Sequence, residues 1–521
     1  MGRILVTEKL APEGLELLRE AGHEVDVQLG LSPEEIHRAI PGAHALIIRS
    51  ATTVTEAMLD AGGELQVVGR AGVGLDNVDV NAATKRGVMV VNAPLSNVLS
   101  AAEQTMALIL AQARNTPQAH SALVQGRWER AQWTGMELAG KTLGIVGLGR
   151  IGSLVAQRAR AFDMRLVGHD PFVSAERAES FGVELMSLDE LAAASDIVTV
   201  HVARTPDTIG LIGTEFISKA KAGIRIINVA RGGIVDETAL LAGLASGQVS
   251  GAGLDVFSSE PMTESPLFGQ PRVVVTPHLG ASTTEAQLRA GVTIAEQVDL
   301  ALSGQFVPFA VNVDAGEVPG TVSPFLPLAE QVGAIFAGLV GELPDRVVLT
   351  LEGELGGYDD RLVTLAAAKG LLHFSGELVS YVNARSLLRE RGVQLNVVTS
   401  VQPRDYVSLL TITGAGRSIS ATLLGLGNEA RIVVLDDHDI DVSPAANMLV
   451  LHNDDRPGMI GVVGTVLGDA GVNIDDMNVG RSDDNESALM VITTQEPFSV
   501  DVGERLRGLD GILQVDLVLL G

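Results

Sequence analysis

The chain contains no cysteine. Disulfides, thiolate nucleophiles and cysteine-ligated metals are therefore excluded together. Aromatic residues are scarce, at 3%, while small aliphatic ones abound, which suits closely packed α/β layers better than an aromatic-rich sandwich. Positive charge is in deficit: 37 Lys and Arg stand against 64 Asp and Glu, a formal net charge of −27. Nucleic-acid backbones are held by dense basic surfaces, so this balance excludes sequence-independent binding of that kind. It also sets a requirement, because an anionic substrate would need a few arginines to converge locally against an unfavourable field. No stretch approaches the ~20 apolar residues of a membrane span. Residues 1–10 read as a buried strand and lack the basic–apolar–small order of a signal peptide. Val6 stands where a myristoylation signal wants Ser or Thr. The expectation is a soluble, cytoplasmic chain of three or four domains at roughly 150 residues each.

Along residues 1–98, short apolar runs at 3–6, 24–27, 45–48 and 65–69 read as strands, with a helix at 11–21. Strands separated by helices of this length predict parallel βαβ units. A helix is predicted over 100–113, a strand over 142–147 and a helix over 150–162. Strands at 165–168, 197–201, 224–228, 251–254 and 273–276 complete a second, larger doubly wound sheet. The helix 284–302 leads to 307–313, which the pattern sends back to the first unit. Residues 99–283 are thus read as inserted in a discontinuous unit, 1–98 with 284–313, leaving a cleft where small molecules bind. The block 314–446 has mixed periodicity, with helices near 327–339 and 361–371, strands such as 406–413 and 431–435, and no chemical constellation. The block 447–521 reads as strand, helix, strand, strand, helix, strand, the ferredoxin-like order.

The stretch 142–170, TLGIVGLGRIGSLVAQRARAFDMRLVGHD, places Gly147, Gly149 and Gly152 as G-x-G-x-x-G between a strand and a helix. The first glycine allows the tight turn, the second lets a pyrophosphate approach the backbone, and the third lets helix and strand pack. Among 58 glycines the bare motif carries little weight, but Asp170 ends the next strand 18 residues after the last glycine. A carboxylate there binds the ribose hydroxyls of NAD and repels the phosphate of NADP.

Three further motifs end predicted strands: NVARGGIVDE (228–237), GLDVFSSEP (253–261) and TPHLGAS (276–282). Strand ends facing the crevice are where ligands bind in open α/β sheets. Oxidation of a 2-hydroxy acid needs a base for the hydroxyl proton, and His278 titrates in the right range. Glu260 beside it would orient the ring and favour the imidazolium. Arg231 offers a planar fork for the substrate carboxylate. The remaining chemistry belongs to a nicotinamide and needs no metal. Taken singly, each of these residues reads as an ordinary loop or turn residue; their joint presence behind a dinucleotide fingerprint reverses that reading.

GLGRIG, ARGG-V-DE, GLDVF–EP and TPH-GAST, in this order, resemble the D-isomer-specific 2-hydroxy-acid dehydrogenase family. RAGVGLDNVDV (70–80) and NAPLSNVLSAAEQTMAL (92–108) are similar to its members that oxidise 3-phosphoglycerate to 3-phosphohydroxypyruvate at the start of serine synthesis. The resemblance covers essentially the whole chain. It implies an α/β architecture in which a doubly wound Rossmann nucleotide domain (99–283) is inserted in a flavodoxin-like substrate domain. An α+β intervening domain (314–446) and a ferredoxin-like ACT domain (447–521) follow. It implies His278 as acid/base, Glu260 as its partner and Arg231 as the substrate-orienting arginine. Arg150, Ile151, Asp170, Ala230, Asp255, His278 and Gly280 fall at cofactor-contact positions. Arg49, Arg70 and Arg130 match the arginines around a substrate phosphate, with Arg130 reaching across a dimer interface. Asn97 and the backbone at Val73 and Gly74 would hold the carboxylate. The family pattern is broken at Ala51, where some members carry a basic residue, at Ala203, usually proline, and at Val73, a threonine in some members.

HNDDRPGMIGVVGTVLGDAGVNI (452–474) is similar to the ACT family of amino-acid-binding modules. By position, Asn453, Asp455 and Asn473 would contact L-serine as an effector between two paired domains. The resemblance implies a homo-oligomer: two-fold contacts through the nucleotide domain, joined by terminal-domain pairing into a tetramer. Two alternatives remain. A sibling reductase for an unphosphorylated acid would not need three arginines together, and an NAD-sensing corepressor of the same fold would carry no ACT-like terminus.

Overall fold

The computed structural model describes residues 2–313, 319–377, 379–425, 427–481 and 487–520. Among these residues four sheets follow one another along the chain. The first holds β1 (Arg3–Val6), β2 (Glu24–Val27), β3 (Ala45–Ile48), β4 (Val67–Arg70) and β5 (Met89–Asn92), all parallel, in the order β2-β1-β3-β4-β5. Its central strands are buried on both faces, as continuous apolar runs such as ALII require. The helix Thr284–Leu302 returns to this sheet, as the pattern anticipates, and packs against the helix Pro12–Glu20. The approach is close enough that a Cβ on Gly14 would lie 2.5 Å from the Gly291 carbonyl oxygen. Beyond that helix, Ala310 bridges to Val91 and the Asn312 side chain accepts from the Val90 N–H.

The second sheet is also wholly parallel: β6 (Thr142–Val146), β7 (Arg165–His169), β8 (Glu184–Leu185), β9 (Ile197–Val200), β10 (Ile224–Asn228), β11 (Val249–Leu254) and β12 (Val273–Val275), ordered β12-β11-β10-β9-β6-β7-β8. The strand order reverses at β6, between β7 and β9, and the crevice at such a switch point is where ligands bind. The helix Val98–Arg114 links the sheets and lies against the helix Arg150–Arg160.

In the third block, where the sequence singled out strands such as 406–413 and 431–435, the described residues hold six: β13 (Arg346–Gly353), β14 (Gln394–Ser400), β15 (Ser408–Gly414), β16 (Arg417–Leu424), β17 (Glu429–Leu435) and β18 (His438–Val442), ordered β14-β13-β15-β16-β17-β18. β13 and β14 pair parallel and the others antiparallel. The helix Phe325–Val340 packs on the sheet, and the helix Arg361–Leu371 packs on that helix.

The last sheet, β19 (Asn447–Asp454), β20 (Asp476–Arg481), β21 (Ser487–Thr493) and β22 (Ile512–Leu519), is antiparallel in the order β20-β21-β19-β22. With the helices Met459–Asp469 and Val500–Arg507 it makes the expected βαββαβ unit. One face is closed by those helices, through Leu449, Leu451, Val463 and Met490. The other face supplies Val450, Val491 and Val518 to the core of the third block, beside Phe336 and Leu410. The C-terminal blocks share one core, whereas the N-terminal sheets have separate ones. No helix of the described residues is long and apolar enough to cross a membrane.

Candidate active site

The glycine loop closes over the end of β6. Gly147 has φ +93°, and a Cβ there would lie 2.6 Å from the His201 carbonyl oxygen. A Cβ on Gly152 would lie 2.0 Å from the Gly147 carbonyl, so neither position admits a side chain. Gly149 faces open space and begins the helix Arg150–Arg160 with no side chain capping its first amides. Those uncapped N–H groups and the helix dipole fit a pyrophosphate. Arg150 is exposed and Ile151 half-buried beside the loop. Asp170 accepts from the Leu148 N–H at 2.8 Å and the Phe172 N–H at 2.9 Å, tying the end of β7 to the loop. His201, at the end of β9, is pushed down to about 4 by burial and stays neutral at pH 7.

Across the sheet's carboxyl edge, three turns converge. In the first, Asn228 accepts from Ala230 N–H and donates to the Arg231 carbonyl, fixing the ARGG turn. In the second, the Phe257 N–H donates to Glu260 at 2.9 Å. In the third, the His278 ring meets Glu260 through Nδ1 at 2.6 Å. His278 has φ +53°, a region costly for a residue with a side chain. Asp255 overdetermines that turn: fully buried, it accepts from the Thr276 hydroxyl, Leu279 N–H and Gly280 N–H. The carboxylate expected to face a cofactor therefore spends its oxygens on the backbone that carries His278. Burial alone would raise the Glu260 carboxyl. The His278 hydrogen bond, the Phe257 N–H and the charge of Arg231 outweigh it and hold the group below the usual carboxylate range.

Arg231 crosses the cleft to the first lobe. Its Nε lies 3.5 Å from Asp76, and a Cβ on Gly74 would lie 2.6 Å from its Nη2. The loop at Val73 and Gly74 is held by Asn92, which donates to the Val73 carbonyl at 2.7 Å. Arg70, at the end of β4, is half-buried with Nε sealed and unpartnered. Burial and the charge of Arg231 depress it, against weaker support from Asp76 and Glu8. Arg49 lines a cleft of about 350 Å³ with Gly72 and Ser96. Asn97 stands at the start of the helix Val98–Arg114 without capping it, its side chain left for other use. Arg130 is exposed and does not line this cleft.

Sequence reading missed Glu8, whose carboxylate accepts the N–H groups of Arg49, Ala51 and Thr52 and so sets the Arg49 loop. It also missed Asn77, which donates to the carbonyls of Arg49 and Thr52. Glu8 follows the end of β1 and Asn77 lies in the loop between β4 and the helix Val80–Lys85, but a polar residue in either place signals nothing until its partners are known. In the ACT-like unit, Asn453 is buried within β19 with Oδ1 unpartnered, while Asp455 and Asn473 are exposed.

A glycine loop at a sheet's switch point, a histidine–carboxylate pair and arginines across a two-lobed cleft make an NAD-linked dehydrogenase of hydroxy acids. Residues 106–280 match the NAD binding domain of the D-isomer specific 2-hydroxyacid dehydrogenases, 321–435 the D-3-phosphoglycerate dehydrogenase intervening domain, and 447–510 the ACT domain. Proteins named D-3-phosphoglycerate dehydrogenase are 44% identical in Mycobacterium bovis, over 96% of both chains, and 41% identical in Archaeoglobus fulgidus, over 99% of this chain and 100% of that one. Among solved structures, the TT0316 protein of Thermus thermophilus aligns with 59% of this chain and 99% of its own, at 36% identity and a TM-score of 0.55. A glyoxylate reductase from Paecilomyes thermophila aligns with 60% of this chain and 98% of its own, at 28% identity and a TM-score of 0.54. The chain belongs to the D-3-phosphoglycerate dehydrogenase family, in the form that carries intervening and ACT domains.

Proposed function

We propose that the chain oxidises D-3-phosphoglycerate to 3-phosphohydroxypyruvate, with His278, Glu260 and Arg231 as the working set. The observation that carries this is the 2.6 Å contact between His278 Nδ1 and Glu260 beside the cleft-spanning Arg231. When bound, NAD supplies the nicotinamide that accepts a hydride; the glycine loop and Asp170 hold its pyrophosphate and ribose. His278 donates through Nδ1 to Glu260, which leaves Nε2 to take the hydroxyl proton as the C–H electron pair departs and the C=O bond forms. The resulting imidazolium is stabilised by Glu260. Arg231, Asn97 and the Val73–Gly74 backbone orient the carboxylate, while Arg49, Arg70 and the partner's Arg130 hold the phosphate. In the direct test, His278→Ala lowers kcat by about 10²–10⁴; near-normal turnover would remove the histidine from the mechanism.

The ACT unit binds L-serine through Asn453, Asp455 and Asn473. The unpartnered, buried Oδ1 of Asn453 supports this reading, since such an atom calls for a donor. Serine should inhibit the native enzyme, and Asn473→Ala should abolish inhibition at unchanged uninhibited rate; indifference of the native enzyme to serine would sink the reading. The nucleotide domain pairs two-fold around the helix Thr116–Val124, where Val124 and Trp128 are 73% and 77% exposed, and ACT pairing completes a tetramer.

A further inference from the structure

The cleft holds one cation that neither the motifs nor the hydride chemistry use. Lys9 follows β1 and lines the same 350 Å³ space as Arg49, Gly72 and Ser96. Its position is fixed from two sides. Glu8, its neighbour, is anchored to the backbone of Arg49, Ala51 and Thr52. The Lys9 carbonyl accepts from Arg49 Nη1 at 3.4 Å, so the two cations share one wall.

Two cations stand together on this wall without countercharge. Among the described residues, no ion pair is formed by Lys9, Arg49 or Arg70. Glu8 is spent on three amides, and Glu13, the acid that shares the lining, pairs with neither cation. The cleft also receives the start of the helix Pro12–Glu20, whose first amides no side chain caps. Concentrated cations repel one another and cost stability unless a multiply charged anion joins them. A phosphate monoester, with a charge of about −1.5 to −2 at neutral pH, is such an anion.

We infer that Lys9 is a specificity-determining residue of the substrate site, its ammonium sharing with Arg49 the neutralisation of the group remote from the reacting carbon. This rests on the phosphorylated-substrate reading above and adds a residue to it. A lysine on a four-carbon stem supplies charge without fixing orientation, whereas the arginine fork fixes it. Lys9 therefore contributes to affinity for the phosphorylated acid and little to the alignment of hydride transfer.

The test compares initial rates of NADH oxidation with 3-phosphohydroxypyruvate and with hydroxypyruvate, the same skeleton without phosphate, in the full-length native enzyme, Lys9→Met, Lys9→Arg and Arg49→Ala. For Lys9→Met, KM for the phosphorylated acid should rise about tenfold with kcat within a factor of two, the scale of one charge-assisted contact. The ratio of kcat/KM between the two acids should fall by the same factor. Lys9→Arg should restore most of that ratio, and the salt dependence of KM should be shallower in Lys9→Met. An unchanged ratio in Lys9→Met beside a lowered one in Arg49→Ala would overturn the assignment of Lys9 and leave the phosphate reading standing. Unchanged ratios in both variants would overturn both. Equal losses on the two acids would reduce Lys9 to a structural role and overturn the assignment.

Discussion

Two arginine clusters divide this molecule. In the N-terminal cleft, Arg70 is half-buried with an unpartnered Nε, and the charge facing it most strongly is another arginine. At the junction of the C-terminal blocks, Arg417 on β16 also keeps one buried nitrogen, Nη2, unpartnered, but it pairs with Asp436 at 2.7 Å and Asp516 at 2.8 Å, while His452 reaches Asp436 at 3.2 Å. Burial would raise Asp436, yet the hydrogen bonds from His452 and Ser418 and the charge of Arg417 hold it below the usual carboxylate range. The same side chain does opposite work. Where acids pair with it, arginine is a rivet between the third and fourth sheets; at Arg70, on the function proposed above, its charge is kept for the substrate's phosphate. A buried cation without a partner costs stability, so the cleft keeps its arginines at the expense of the fold, and the junction keeps its own for the fold.

The largest effect should come from removing the rivet. Arg417→Ala leaves Asp436 and Asp516 without their cation and should destabilise by about 3–5 kcal/mol, read from the denaturant midpoint, with KM for the phosphorylated acid unchanged. A mild loss would mean the shared apolar core alone joins the blocks. Arg70→Met is the converse. Stability should hold or rise, while kcat/KM for the phosphorylated acid should fall about 10–100-fold, as expected for lost hydrogen bonds to a charged group. Loss of stability in that variant would make Arg70 structural and erase the contrast.

Acid should separate the two regions. His201 binds its proton only near pH 4 when folded but near 6.5 when unfolded. Its contribution is complete above pH 6.5 and is lost as pH falls toward 4, by at most about 3 kcal/mol. Asp436 is depressed, so its contribution survives until pH drops below the ordinary carboxylate value of 3.8. Hydrogen exchange at pH 7 and pH 5 should show protection falling in β6 and β9 and holding in β16 and β17. Parallel losses would refute the difference. The smallest effect belongs to Glu8→Gln, which keeps shape but weakens acceptance from three amides. A rise in KM of a few-fold at unchanged kcat is expected, and unchanged KM would free Arg49 from dependence on that carboxylate.

Periodicity and spacing alone determined a good deal here. Continuous runs such as 45–48 and 142–146 demand strands buried on both faces, hence parallel sheets under helices, and the helix predicted over 284–302 has those bounds in the structure. The glycine loop, Asp170, Arg231, Glu260 and His278 were legible because each motif marks a strand end, and strand ends of one parallel sheet open on one crevice. The ACT-like order was legible for the same local reason. Tertiary structure decided which charges are answered. That Asp255 is spent on the backbone of 276–280, that Glu8 sets the Arg49 loop, that Lys9 stands unpaired while Arg417 is clasped by residues 19 and 99 positions away, are facts about partners far apart in the chain. It also decided that the last two blocks share one core, since Val450, Val491 and Val518 read as ordinary strand residues until a second sheet covers them. Sequence periodicity specifies which face of an element is apolar; only packing specifies what that face, or a charge at its edge, will meet.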